Sequence, residues 1–148
     1  MSSEVNSLIA VDSLVANEFA VEIEGEVMLG VFRVSGFTPF KLQIEADGSK
    51  SVATPFVIAK MVQRDGSNSF NQWLQETVAN AETSTRPRRT LAIVAIDDGT
   101  ETRRWTVNGA WITSVSYSDF DTSSSEMIEE TVTIHYDSIE ETWSAMPG

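Results

Sequence analysis

Across residues 126–137 the chain alternates in polarity. Ile128, Val132, Ile134 and Tyr136 fall on one face, and Met127, Glu129, Thr131, Thr133 and His135 on the other. That is the period of a strand buried on one side. Glu130 is the one charge on the apolar face. Upstream, Trp105 and Val107 alternate with Arg104, Thr106 and Asn108, while Trp111, Thr113, Val115 and Tyr117 alternate with Ile112, Ser114 and Ser116. Residues 18–24 set Phe19, Val21 and Ile23 against Ala20, Glu22 and Glu24, and Gly25 turns the chain into 27–34, which predicts a hairpin. Two more strands are expected at 41–46 and 55–64, joined by a protruding polar tip, Asp47-Gly48-Ser49-Lys50-Ser51. Residues 88–96 form a strongly apolar strand, and Asp97-Asp98-Gly99 turns it back into 100–108. Gly109 separates that strand from 110–117.

One helix interrupts this series. Ser67 or Asn68 can cap it, and Phe70, Trp73, Leu74, Thr77 and Val78 recur on one face, a stripe expected to pack on a sheet. The fold class is therefore mainly β: an antiparallel β-barrel or sandwich of about eight strands with one short α-helix packed on it. The expected domain is 18–137, between an N-terminal arm, 1–17, and a C-terminal tail, 138–148, whose large anchor is Trp143.

With 148 residues, 41% of them hydrophobic, the chain can bury one real core. It has no cysteine, so disulfides and thiolate metal sites are excluded. The first seven residues carry no positive charge, and the longest apolar run, 91–96, is far too short to cross a bilayer, so a soluble, unprocessed protein is expected. The net charge of -12 disfavours gripping nucleic acid or an anionic membrane. Its distribution is uneven: all ten Lys and Arg lie between Arg33 and Arg104, and the eight acids after Arg104 have no base among them. A charged surface that keeps the protein soluble accounts for this. A sharper reading has acidic strands of one copy meeting Arg86, Arg88, Arg89, Arg103 or Arg104 of the next.

Catalytic chemistry finds little support. There is one His and no Cys, and His135 sits mid-strand, where a structural role explains it. Asp97-Asp98 is accounted for by a turn, and Glu129 and Glu130 point to opposite faces. Asp119 and Asp121 could collect a divalent ion, yet no loop has the ligand spacing of a calcium site. No catalytic, metal or cofactor residue is assigned, and no enzyme activity is expected.

Several segments in their order carry a resemblance. They are Phe19-Ala-Val21-Glu-Ile23, Val34-Ser35-Gly36-Phe37, a strand containing Lys60, and Trp73 in a single short helix. After these come the basic-apolar strand from Arg88, Trp105, Asn108-Gly-Ala110-Trp111, and Glu130-Thr-Val132-Thr-Ile134-His135. Together they resemble the tail tube proteins of contractile-tailed phages and the inner-tube proteins of phage-tail-like contractile injection systems, over about residues 18–137.

The resemblance implies a structural subunit. Copies would close into hexameric rings, and rings would stack into a tube whose lumen conducts DNA or effector cargo. The partners implied are other copies, a surrounding sheath, and baseplate, initiator or terminator proteins, with assembly in the host cytoplasm and no membrane binding by the subunit. Candidate ring-stacking contacts are Glu45, Asp47, Gly48, Ser49 and Lys50. Candidate inter-subunit charge contacts are Arg88, Arg89, Arg103, Arg104, Glu129 and Glu130. Ser114, Ser116, Thr131 and Thr133 are candidates for a lumen or ring-contact face. A tube initiator or terminator, a type VI secretion tube protein, and a ligand-binding β-sandwich using Trp105, Trp111 or Trp143 stay open as alternatives.

Overall fold

A computed structural model describes residues 14–144. Its framework is two antiparallel layers that share one bent strand. The first layer contains β1 (Phe19–Ile23), β2 (Glu26–Val27), β7 (Arg89–Asp97), the first half of β8 (Thr100–Tyr117) and β10 (Ser138–Trp143). The second contains the other half of β8, β9 (Glu129–His135), β6 (Phe56–Met61) and β3 (Val31–Ser35). A detached hairpin, β4 (Leu42–Glu45) with β5 (Gly48–Ser51), leaves the body between β3 and β6. The arrangement is sandwich-like, and among the described residues all pairing is antiparallel and no barrel closes.

Gly109 makes the shared strand possible. Rather than ending a strand, it bends an 18-residue one at a left-handed φ of 64°. Before it, β8 lies between β7 and β10; after it, β8 runs beside β9. A side chain on Gly109 would overlap the Asp137 carboxylate, while Arg88 Nη1 donates to the Gly109 carbonyl at 3.0 Å and to Asp137 Oδ2 at 2.8 Å. Glycine is required there by both backbone conformation and close approach.

Val21, Ile23, Phe56, Ile58, Leu91, Val107, Val132 and Ile134 fill the space between the layers, each almost wholly buried. Helix α1 (Ser69–Ala79) adds Phe70, Trp73 and Leu74 to that cluster. Asn68 is its cap, accepting from the Asn71 backbone N–H at 2.9 Å, and Trp73 donates its indole N–H to the Pro87 carbonyl at 2.9 Å. Val78, expected on the packed face, is 69% exposed at the end of the helix.

Several expected boundaries differ. The first hairpin keeps only two residues of return strand; Gly30, at φ 90°, then redirects the chain so that β3 pairs with β6 in the other layer. The hairpin at 42–51 is a ladder of its own, with Ile44 opposite Ser49 and Leu42 opposite Ser51, so its tip is Ala46 and Asp47, and Ser49 and Lys50 are strand residues. Residues 126–128 lie outside β9. The stretch expected as a tail supplies β10 at the edge of the first layer, bringing the described strands to ten. The expected arm lies largely outside the described residues, as do the last four residues of the tail.

The phase of β8 also differs beyond Gly109. An irregularity between Ile112 and Ser114 adds one residue relative to β9, which flips the alternation. Ile112 therefore turns into the core beside Ile134. Trp111 takes the outer face, stacked on His135 at 5.6 Å with the Arg88 guanidinium 4.4 Å from its ring.

Candidate functional site

The candidate residues sort into three places. Ser114, Ser116, Thr131 and Thr133 come together, since Ser114 pairs with Thr133 and Ser116 with Thr131 across β8 and β9. Their partners one residue along, Val132 and Ile134, are fully buried, so these four form the outer face of the second layer. It is a surface of short hydroxyl side chains. Val57 and Ala59 of β6 lie beside the two threonines, and Trp111 with His135 continues the row at one end.

Glu45, Asp47, Gly48, Ser49 and Lys50 share the tip half of the detached hairpin, all exposed. Lys50 and Glu45 face each other at 3.4 Å, in a loose surface pair of little energetic weight. The other face of the hairpin carries Leu42 and Ile44, which are 44% and 77% exposed. A two-stranded ribbon with no core of its own is marginal in water.

The third set divides. Each of its four arginines has a carboxylate within its own chain: Arg88 with Asp137, Arg89 with Glu76, Arg103 with Glu141, and Arg104 with both Glu22 and Glu101. Glu129 is half-buried on the outer face of β9, in the row of Thr131 and Thr133. Glu130 is interior, only 5% exposed, and its carboxylate lies 2.6 Å from the ammonium of Lys60, itself 1% exposed. Lys60 also donates to Asn71 Oδ1 at 3.0 Å and stands 5.2 Å from the Phe70 ring. Burial, and then the nearby Glu130 carboxylate, raise the Tyr117 phenol above its ordinary pKa.

Sequence reading did not find Lys60 as the partner of Glu130. The signal was available: a lone charge in an apolar alternation needs an opposite charge, and the Lys60 strand offers one. The aromatic residues weighed for ligand binding are occupied within the chain. Trp105 meets Phe37 edge-on at 5.6 Å, and Trp143 lies under the Arg103 guanidinium at 3.6 Å. No three His, Asp or Glu side chains converge as metal ligands among the described residues.

Arg104 is the most connected surface charge. It takes Glu22 at 2.8 and 3.1 Å and Glu101 at 3.0 and 2.7 Å, tying β1 to β8. Its bonds hold the Glu101 carboxyl below the usual 4.5. The group's contribution is therefore full above that value and fades as pH falls through the lowered folded-state pKa. Arg104→Ala is expected to cost about 1–2 kcal/mol in urea unfolding at neutral pH and to flatten the acid side of the stability profile. An unchanged acid limb would contradict the assignment.

Comparison with known proteins places these surfaces in context. The structure superposes on a chain of an extracellular contractile injection system, the PVC sheath-tube complex in its extended state, with a TM-score of 0.68 and 19% identity, covering 97% of this chain and 99% of that one. The anti-feeding prophage tube-terminating cap gives a TM-score of 0.70 at 16% identity over 90% of this chain and 93% of that one. Hcp1 from Flavobacterium johnsoniae gives 0.54 at 15% identity, over 86% and 96%. A comparison with curated proteins finds no match. At the level of sequence families, residues 15–140 match the T4-like virus tail tube protein gp19 family. That match spans most of the chain and agrees with the fold, so the protein belongs to this tail tube family and is a structural component of an inner tube.

Proposed function

We propose that the chain is the repeating subunit of the inner tube of a contractile phage tail or injection system, six copies closing into a ring and rings stacking through the 42–51 hairpin. Open sheet edges carry this reading: among the described residues, β2 and β10 bound the first layer and β3 bounds the second, each hydrogen-bonded on one side only. An exposed edge invites pairing, and a head-to-tail ring satisfies such edges by closing on itself. The hydroxyl face of Ser114, Ser116, Thr131 and Thr133 suits a lumen, because a conduit should not adhere to the DNA or effector passing through it. A surrounding sheath and a baseplate or terminator complete the assembly, formed in the host cytoplasm.

Negative-stain imaging of the purified protein tests this directly. Rings and tubes are expected; a compact single particle at every concentration would overturn the reading. Deleting residues 45–52 is expected to leave folded protein that forms no tubes, and tubes of normal length from the deletion would remove the hairpin from the stacking contact.

Salt gives a further check. Six copies carry 6 × -12 = -72 charges. Because Arg88, Arg89, Arg103 and Arg104 have partners in their own chain, repulsion between copies is weakly compensated. Tube yield is expected to rise from low to moderate ionic strength as screening shortens that repulsion. A yield that falls instead would show attraction between copies to dominate.

A further inference from the structure

The hairpin needs something to sit in, and the same chain carries a surface of matching chemistry at the far end of one strand. Helix α1, the residues just after β6 and the end of β8 enclose an open groove of about 700 Å³ whose apolar lining is Val62, Leu74, Val78, Val115 and Tyr117, joined by the amides of Gln63, Asn71 and Gln75. Val62, Val78 and Tyr117 are 44%, 69% and 53% exposed, an apolar surface that water covers poorly in a lone subunit. Tyr117 leads into Phe120, 6.5 Å away and 76% exposed, on the loop before β9. That loop carries Asp119, Asp121 and Glu126 and no base.

We propose that this groove receives the β4–β5 hairpin of another copy, with Leu42 and Ile44 against the apolar floor and Lys41 facing the acidic loop. Polarity argues for it. The hairpin leaves the body at the Phe56 end of β6, where Ser35 pairs with Val57, and the groove begins just past the Met61 end. Six residues of strand, roughly 20 Å, separate the two features. Knob and socket at opposite ends of one strand meet between copies in head-to-tail order, and such a contact repeats along an axis wherever its rotation does not close into a ring.

Charge argues for it as well. In a chain of net charge -12, residues 31–52 hold Arg33, Lys41 and Lys50 against Glu45 and Asp47, which makes this sector net positive by one. Lys41 forms no ion pair among the described residues, and the groove floor has no charge apart from Glu130, which Lys60 already neutralises. Two acidic copies thus find here one neutral surface flanked by opposite charges.

This inference rests on the tube reading and can be separated from it. The chain has no cysteine, so Ile44→Cys with Val78→Cys introduces the only thiols. Both positions are exposed, so folding should be unaffected. Tubes of this variant treated with oxidant or a short bis-maleimide are expected to give a covalent ladder of dimers and higher multiples on denaturing gels. Each single variant should stop at the dimer or below. Tubes by microscopy without a ladder would overturn the groove assignment, leave the tube reading standing, and return the groove to a sheath-like partner. A crosslink confined to monomer would also overturn it, by placing hairpin and groove together within one chain. Absence of rings and tubes from the unaltered protein would instead defeat the tube reading. Ile44→Lys and Val78→Lys are each expected to abolish tubes without changing the thermal midpoint, and normal tubes from either would count against the contact.

Discussion

Lys60→Ala is expected to destabilise the fold by about 3–5 kcal/mol, because it strands the Glu130 carboxylate in the core. Glu130 lies 5% exposed between β8 and β6, and the Lys60 ammonium is its close cationic partner. Asn71, in the first turn of α1, completes the arrangement by accepting from the same ammonium, so the pair also fastens the helix to the sheet. Glu130→Ala should cost a similar amount by the mirror argument. Replacing both, Lys60→Met with Glu130→Leu, should recover most of the loss, since an apolar pair of similar size needs no desolvated charge. Urea unfolding of the two single variants and the double variant measures the coupling. Single-variant losses below about 1 kcal/mol would mean that water reaches the pair and that its burial is not what sets its weight.

The second large effect is expected at Gly109. Gly109→Val places a β-branched residue at φ 64°, which costs an L-residue on the order of 1–2 kcal/mol before any contact is considered. Its Cβ would overlap the Asp137 carboxylate and come within 3.1 Å of Arg88 Nη1, so the Arg88–Asp137 bond must open. The total is expected at about 3 kcal/mol or more. The damage should reach both layers, because this residue is where β8 passes from β7 and β10 to β9. Adding Asp137→Ala removes the overlap but not the backbone strain, and should restore about half of the loss. A Gly109→Val protein with unchanged urea midpoint would show that the corner can be built another way.

Both effects bear on assembly. The Lys60–Glu130 pair lies beneath the groove between α1 and the end of β8, and the Gly109 corner sets the angle between the hydroxyl face of the second layer and the β10 edge of the first. Variants that keep the fold yet shift either angle should fail first in ring closure, where small errors repeat around a closed cycle.

Much of this protein was legible along the chain. Periods of two in 19–23 and 129–135 determine strands with one buried face, because successive side chains must point to opposite sides, while the unbroken apolar run within 88–96 marks a strand covered on both faces, with Leu91 to Val94 all buried. The stripe Phe70, Trp73, Leu74 behind a capping Asn68 determines the helix for the corresponding reason at a period of 3.6. The four hydroxyl residues of the outer face follow from the same alternation, and the ordered segments from Phe19 to His135 sufficed to point to the tail tube family. What a period cannot carry is a change of phase or of partner. The extra residue near Thr113 turned Ile112 inward and Trp111 outward, and residues 31–35 left their expected neighbour for the other layer. Three-dimensional proximity alone decided that Arg88, Arg103 and Arg104 meet Asp137, Glu141 and Glu22 of their own chain, that Lys60 neutralises Glu130, and that 138–143 adds an edge strand beside β8, since each joins residues far apart in sequence whose meeting depends on where the sheet bends.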